Sequence, residues 1–287
     1  MRGLRVGKSI FDFDKKIVLM GILNVTPDSF SDGGLYLSKE NAIKHAKLME
    51  RHGADIIDIG GESTRPGSTA ISEQEEIKRV LPIIKNLSNE LSTPLSIDTS
   101  KAVVAEQALN AGAGMVNDTT ALEGDPSLVS VIKDFDVPVC LMHMRETPKT
   151  MQNNPSYTNI IEEVKTFLSN RAQYAMDHGI SDSKIVIDPG IGFGKRTGSG
   201  IEDNCEILAK LSKFKELSYP LLIGASRKTF LGNICGQDQQ LPPDDRLEGS
   251  LAAACIAAMQ GADIIRVHDV KETRRCLTLI DCIKQYL

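Results

Sequence analysis

The sequence predicts an α/β fold: a TIM (β/α)8 barrel with a short N-terminal hairpin, forming one domain over residues 1–287. Three observations point to it. Short apolar runs recur along the chain, and nearly every one stops at a cluster of polar, turn-forming residues. Runs that are apolar throughout, rather than alternating, mark strands of a parallel sheet buried on both faces. Segments with helix-capping signals fill the gaps, and eight such units in order suit a barrel of this length. An open doubly wound sheet is the rival, but it concentrates its polar site at one switch point.

The elements follow in order. Leu4 to Lys16 reads as a hairpin turning near Gly7 or Asp14, placed to plug the bottom of the barrel. Strands are expected at Ile17–Leu23, Ile56–Ile59, Pro94–Ile97, Met115–Asn117, Val137–Met142, Lys184–Ile187, Pro220–Ile223 and Ile264–Val267. Helices are expected at Lys39–Arg51, Ser72–Leu91, Ser100–Asn110, Pro126–Phe135, Asn159–His178, Asp203–Leu217, Arg246–Gln260 and Val270–Gln285. Ser72 and Glu75 form a capping box at the second helix. Gly53, Gly112, Gly179 and Gly261 stand where helices should end in a left-handed turn. Longer loops span Arg145–Tyr157 and Gly190–Asp203, and Ile234–Asp245 reads as a surface excursion.

Composition narrows the function. The formal net charge is −5 and the basic residues are scattered, which disfavours a nucleic-acid partner. Six cysteines form no Cys-x-x-Cys pair and no zinc-finger spacing with a histidine; reduced thiols in a cytoplasmic protein are the expectation. No apolar run is long enough to span a bilayer, and the first ten residues lack a signal-peptide core.

The chemistry is expected at the strand ends. Asp98 and Asp188 close the third and sixth strands and would point into the barrel mouth, with Asn117 beside them. A strand-end Asp is often only a helix cap, a fair account of Asp98 alone and a weaker one of Asp188, which precedes Pro-Gly. Two carboxylates and an amide suit a ligand rich in N–H donors. Lys228 and Arg266 end the seventh and eighth strands, where barrels commonly bind phosphate. His268 lies on the same side as Arg266 by the two-residue period, and Asn24 should flank both. The glycines of Asp188-Pro-Gly-Ile-Gly-Phe-Gly have the wrong spacing for a dinucleotide fingerprint; they let the loop fold tightly, with Phe193 as a wall. Met142 and His143 are expected in a core or lining role. His45, His52 and His178 are expected on solvent-facing helix surfaces. Ser226 invites a Ser-His-Asp reading but lacks the nucleophile-elbow pattern. No motif suggests a tight metal site.

The motifs Asn24-Val-Thr-Pro-Asp-Ser-Phe-Ser-Asp-Gly-Gly34, Gly61-Glu-Ser-Thr-Arg-Pro-Gly67, Ile97-Asp-Thr, Val116-Asn-Asp, Asp188-Pro-Gly-Ile-Gly-Phe-Gly-Lys, Ser226-Arg-Lys and Arg266-Val-His-Asp occur in one order. Together they resemble the dihydropteroate synthases of folate biosynthesis, over essentially the whole chain. The resemblance implies a transferase that condenses (7,8-dihydropterin-6-yl)methyl diphosphate with 4-aminobenzoate, releasing diphosphate. It implies that Asp98, Asn117, Met142, Asp188, Phe193, Lys228 and Arg266 hold the pterin. Asn24, Arg266 and His268 would hold the diphosphate, with Mg2+ on Asn24. Phe30, Thr64, Arg65, Pro66, Phe193, Ser226 and Lys228 would form the aminobenzoate pocket. Asp98, Asp188, Lys228, Arg266 and His268 would carry the chemistry, while the first two loops, with Thr26, Asp28 and Ser31, close over it. A homodimer and inhibition by sulfonamides are further implications.

Two departures from that pattern stand out: Thr119-Thr120 after Asn117-Asp118, and a longer link from Arg196 to Asp203. Two other readings compete. A methyltransferase using a folate pterin would share the barrel and the Asp/Asn contacts but need no diphosphate site. A pterin-binding paralogue without turnover should have lost loop residues that are intact here.

Overall fold

The structure, a computed structural model, describes residues 3–26, 34–64, 67–198, 200–236 and 239–286, and the backbone alone for 34–38. The hairpin pairs β1 (Gly3–Val6) with β2 (Ser9–Asp12), and its turn falls at Gly7, the first of the two expected positions. Strand–helix alternation then begins with β3 (Val18–Asn24), α1 (Gly34–Arg51), β4 (Ile56–Gly60) and α2 (Glu73–Glu90). It continues through β5 (Leu95–Asp98), α3 (Ala102–Asn110), β6 (Val116–Asp118), α4 (Leu128–Phe135), β7 (Val139–Met142) and α5 (Ile160–Asp177). The last units are β8 (Ile185–Asp188), α6 (Asp203–Ala209), β9 (Leu222–Ile223), α7 (Thr229–Cys235), α8 (Leu247–Met259), β10 (Ile264–Val267) and α9 (Val270–Lys284).

Strands β3 to β10 form one eight-stranded parallel sheet in the order β8-β7-β6-β5-β4-β3-β10-β9. A single bridge, Ile187 to Leu221, closes it into a barrel, with Ile187 N donating to Pro220 O at 2.9 Å. The strand period sorts the side chains. Leu19, Ile57, Ile59, Ile97, Leu141, Ile187 and Ile265 face outward into the core shared with the helices. Val18, Met20, Ile56, Met115, Cys140, Val186, Leu222 and Ile264 face inward, and Leu4, Val6, Phe11 and Phe13 of the hairpin join that inner cluster. The hairpin is therefore the barrel's floor.

Local signals mostly behave as expected. Ser72 caps α2 by accepting from Glu75 N at 3.2 Å, and Gly53, Gly112, Gly179 and Gly261 all adopt positive φ. Two segments differ. The expected helix Asp203–Leu217 stops at Ala209, and Leu211–Leu217 continues as a 3-10 helix. Leu211 and Phe214, both fully buried, are three residues apart, and three residues per turn puts them on one face. The second difference is α7, a short helix where none was expected, so the surface excursion begins only after Cys235. Phe230 and Leu231 are its buried face.

Candidate active site

Two residues above the inner apolar layer, the barrel lining turns polar. Asp58 stands two beyond Ile56, Asn117 beyond Met115, Met142 beyond Cys140, Asp188 beyond Val186 and Arg266 beyond Ile264. Consecutive inward positions on parallel strands thus place charged groups on a dry floor at the C-terminal mouth.

Arg266 lies at the centre. Its Nε donates to Asp58 Oδ2 and its Nη2 to Asp98 Oδ2, both at 2.7 Å. Asn117 Nδ2 donates to the same Asp58 oxygen at 2.8 Å. This bond orients the amide so that Asn117 Oδ1 remains as an acceptor. Asp58 is fully buried, and its Oδ1 has no hydrogen-bond partner among the described residues. The sequence reading passed over Asp58, although a carboxylate inside Ile-Ile-Asp-Ile was a signal: buried charges are almost always paired. Burial raises the pKa of Asp98 to about 7, against the pull of Arg266 and with a push from Asp58. Burial works against the Arg266 cation, yet Asp58 and Asp98 outweigh it and hold the guanidinium charged.

Asp188 sits on a tightly folded loop. Its Oδ1 accepts from Gly190 N at 2.7 Å, and its carbonyl accepts from His143 N at 2.9 Å. Gly190 has φ +71°, and a Cβ there would stand 1.9 Å from His143 O, so only glycine fits. Asn204 Oδ1 accepts from Gly192 N at 2.7 Å, and Tyr157 OH donates to Gly194 O at 2.6 Å. Phe193 is buried with Met142 and Met151, and the Lys228 ammonium lies 3.8 Å from its ring centroid. Burial raises the Asp188 pKa to about 6, opposed by the Gly190 N–H and Lys228. Beneath the loop, Lys195 Nζ reaches His143 Nδ1 and Phe193 O, each at 2.9 Å. Burial lowers that lysine to about 7 and His143, with Lys195 beside it, to about 2; the imidazole is neutral and accepts from the amine.

On the far side, Ser226 Oγ lies 3.0 Å from His268 Nδ1 and accepts from His268 N at 3.2 Å. Burial, then Arg266, lowers His268 to about 3, so it too is neutral. Gly60 leaves room between neighbours: a Cβ there would stand 3.7 Å from Asp98 Oδ2 and 3.8 Å from Asn24 Oδ1. Asn24 therefore stands beside Asp98, while Arg266 turns inward to the two carboxylates. Asn24 ends β3 and His268 follows β10, its neighbour in the sheet, and Arg266 is close enough to His268 to lower its pKa. Chemically, the mouth offers carboxylate and amide acceptors, an ammonium and an aromatic wall: a fit for a flat heteroaromatic with N–H donors and a carbonyl.

A profile described as pterin binding enzyme matches residues 20–268. The chain is 45% identical over 280 residues to a dihydropteroate synthase of Synechocystis, covering 98% of this chain and 94% of that one. The chain belongs to the dihydropteroate synthase family. Two solved structures agree. A Yersinia pestis dihydropteroate synthase with a sulfonamide drug has TM-score 0.91 and 42% identity, covering 99% of both chains. A Xanthomonas albilineans dihydropteroate synthase with 4-aminobenzoic acid has TM-score 0.90 and 42% identity, covering 99% of this chain and 98% of that one.

Of the residues that likeness to dihydropteroate synthases nominated, Asn24, Asp98, Asn117, Met142, Asp188, Phe193, Ser226, Lys228, Arg266 and His268 surround the one mouth. Phe30, Arg65 and Pro66, with Asp28 and Ser31, lie outside the described residues. Thr64 is half-buried in the loop after β4. Lys101 ties both ends of that loop, donating to Glu62 and, at 2.9 Å, to Ile71 O. The two departures are self-contained. Thr120 N and Oγ1 bind Asp118 Oδ1 at 2.8 and 2.7 Å, closing a local turn. Arg196 and Asp203 clasp across the longer loop, with Arg196 Nη2 to Asp203 Oδ1 at 2.9 Å and Asp203 N to Arg196 O at 3.1 Å. The added residues therefore hang beyond a closed neck.

Among the described residues, no three His, Cys, Asp or Glu side chains form a metal cage. Mg2+ keeps several waters and is commonly held by one or two protein oxygens plus substrate phosphate. The Asn24 side-chain oxygen at the mouth fits that pattern.

Proposed function

We propose that this chain condenses (7,8-dihydropterin-6-yl)methyl diphosphate with 4-aminobenzoate to 7,8-dihydropteroate and diphosphate, as in folate biosynthesis. The observation that carries the reading is the polar layer itself: Asp188, the Asn117 carbonyl and Lys228, set around a partly buried Arg266 and walled by Phe193 and Met142. Asp188 accepts from the adjacent ring N–H and amino group of the pterin. Asn117 Oδ1 takes a further N–H, and Lys228 donates to the ring carbonyl. Polar edges left unpaired here would cost about 1–3 kcal/mol each, which selects the pterin sharply.

The bond between the exocyclic methylene and the diphosphate oxygen breaks first, and its electron pair leaves with the diphosphate. The electron-rich dihydropterin ring spreads the resulting positive charge, and Asp98 stabilises it from the mouth. His268 is neutral and donates a hydrogen bond to the leaving group, and Asn24, at the end of the neighbouring strand, supports it. Asn24 is the residue that would hold Mg2+, which when bound would supply charge neutralisation for the departing diphosphate. The arylamine lone pair then forms the C–N bond, and the nitrogen loses a proton to solvent. Ser226, Thr64 and Phe193 border the aminobenzoate, with Phe30, Arg65 and Pro66 completing its pocket. Sulfonamides occupy the same place.

The protein works as a homodimer in the cytoplasm. Ile256 and Met259 on α8, Leu279 and Ile283 on α9, and Tyr286 beyond it are exposed apolar side chains that a second copy would cover. All six cysteines are free, in keeping with a reducing compartment. No helix among the described residues is long and apolar enough to cross a membrane.

Diphosphate release from the dihydropterin substrate, measured with magnesium and with or without 4-aminobenzoate, tests the reaction. Aminobenzoate-dependent release matched by dihydropteroate is expected, with slow release in its absence if ionisation precedes attack. Pterin binding without release would sink the reading.

A further inference from the structure

Between Ser226 and Lys228, both assigned above to substrate, stands a residue with no such assignment. Arg227 has φ +57°, a left-handed backbone that a non-glycine residue rarely adopts. This conformation bends the short link from β9 to α7 between Ser226 and Lys228, so both can face the mouth. It is braced from every side. Arg227 N donates to Ser250 Oγ at 2.9 Å, and Arg246 Nη1 donates to Arg227 O at 2.8 Å. Ser250 Oγ in turn donates to Arg246 O at 2.6 Å, so both braces come from one point at the start of α8. The guanidinium reaches the next loop: Nε to Asp269 Oδ2 at 3.1 Å and Nη2 to Asp269 Oδ1 at 2.6 Å, a two-pronged fork. Nη1 meets the exposed Asp244 at 2.8 Å. Asp269 directly follows His268, whose ring and backbone both bind Ser226 Oγ.

We propose that Arg227 is a positioning residue: it sets Ser226 and Lys228 against the substrates and, through Asp269, locks them to the loop that presents His268. The aminobenzoate edge and the diphosphate edge of the site are thereby one mechanical unit. This rests on the reaction proposed above. A residue merely stabilising the fold would lower the melting temperature without touching the two ligand edges selectively. A clamp makes specific demands. Held geometry is lost when the fork is lost, and misplacement on the ångström scale costs about 10- to 100-fold in rate.

The test compares wild type with Arg227→Gly, Asp269→Asn and the double variant. Glycine tolerates the left-handed backbone, so Arg227→Gly removes the fork without adding strain. Expected are a raised KM for 4-aminobenzoate and weaker product inhibition by diphosphate in each single variant. The dihydropterin diphosphate, which meets both Lys228 and His268, should bind each single variant more weakly by calorimetry. The double variant should be no worse than the worse single one, because both break one link. Arg227→Lys, which keeps the charge but not the fork, should fall between, and it replaces Arg227→Gly if that variant does not fold. Wild-type KM and product inhibition in Arg227→Gly and Asp269→Asn, or losses that simply add, overturn the clamp alone. Absence of turnover by the wild type overturns the reaction and the clamp with it.

Discussion

Arg266 is one cation shared by two carboxylates, Asp58 and Asp98, which leaves a net negative floor under the mouth. Burial away from water, rather than this charge balance, makes Asp98 and Asp188 hold their protons to unusually high pH. Asp188 must be ionised to accept two N–H bonds from a pterin. Its pKa in the free protein is about 6, so binding below that pH must release the proton. Pterin affinity should therefore fall as pH drops through 6, approaching about tenfold per unit at the acid end. Calorimetry between pH 5 and 8 checks this; a flat profile would mean that Asp188 does not carry the recognition. Asp188→Asn keeps the shape but turns one acceptor into a donor. It should weaken pterin binding by about 2 kcal/mol, read in the same experiment. Residues at strand ends were legible because a polar side chain closing an apolar run has few structural reasons to be there. Asp58 escaped because it lies inside its strand, where the eye reads only the apolar neighbours. Its partner Arg266 is about two hundred residues away in sequence, so no local pattern announces the pair.

At the scale of elements, the loop after β8 shows what the glycines are for. Gly190→Ala would put a Cβ 1.9 Å from His143 O at a positive φ, so the loop must move. A loss of about 3 kcal/mol in urea unfolding, with weaker pterin binding, is expected. Gly198→Ala, also at positive φ but with nothing within 4 Å, should cost only the backbone term, about 1 kcal/mol, and leave binding intact. Element existence was largely legible, since caps and apolar runs are local signals. The 3-10 continuation and α7 were not: Leu211 and Phe214 choose their geometry by what they pack on, and the seven residues of α7 are too few to show a period. The elements that come together at the mouth could be placed only because barrel topology fixes the order.

At the scale of the molecule, the hairpin is part of the inner core of the barrel. Phe11 and Phe13 fill the barrel from below, against Val18, Met20 and Ile56. Phe13→Ala should open a cavity and cost about 3–5 kcal/mol in chemical denaturation, while the polar layer above keeps its geometry. A change under about 1 kcal/mol would mean that the hairpin merely covers the floor. The acidic net charge and free thiols were readable from composition alone, whereas the exposure of Ile256 on α8 and Leu279 on α9 was not.

The closure of the barrel at β8 and β9 carries one more consequence. Seven borders are ladders of paired residues, but this one rests on Ile187 and Leu221. It runs straight up to the two loops that bear Asp188 on one side and Ser226 on the other. A zip with one tooth is where the cylinder should breathe. Hydrogen exchange should find the Ile187 amide, bonded to Pro220 O, less protected than Ile57 and Ile97, which donate to Pro94 O and Met115 O inside the ladders. Ligand spanning those two loops should then slow exchange along this line more than anywhere else in the sheet, making the substrate itself the missing stitch.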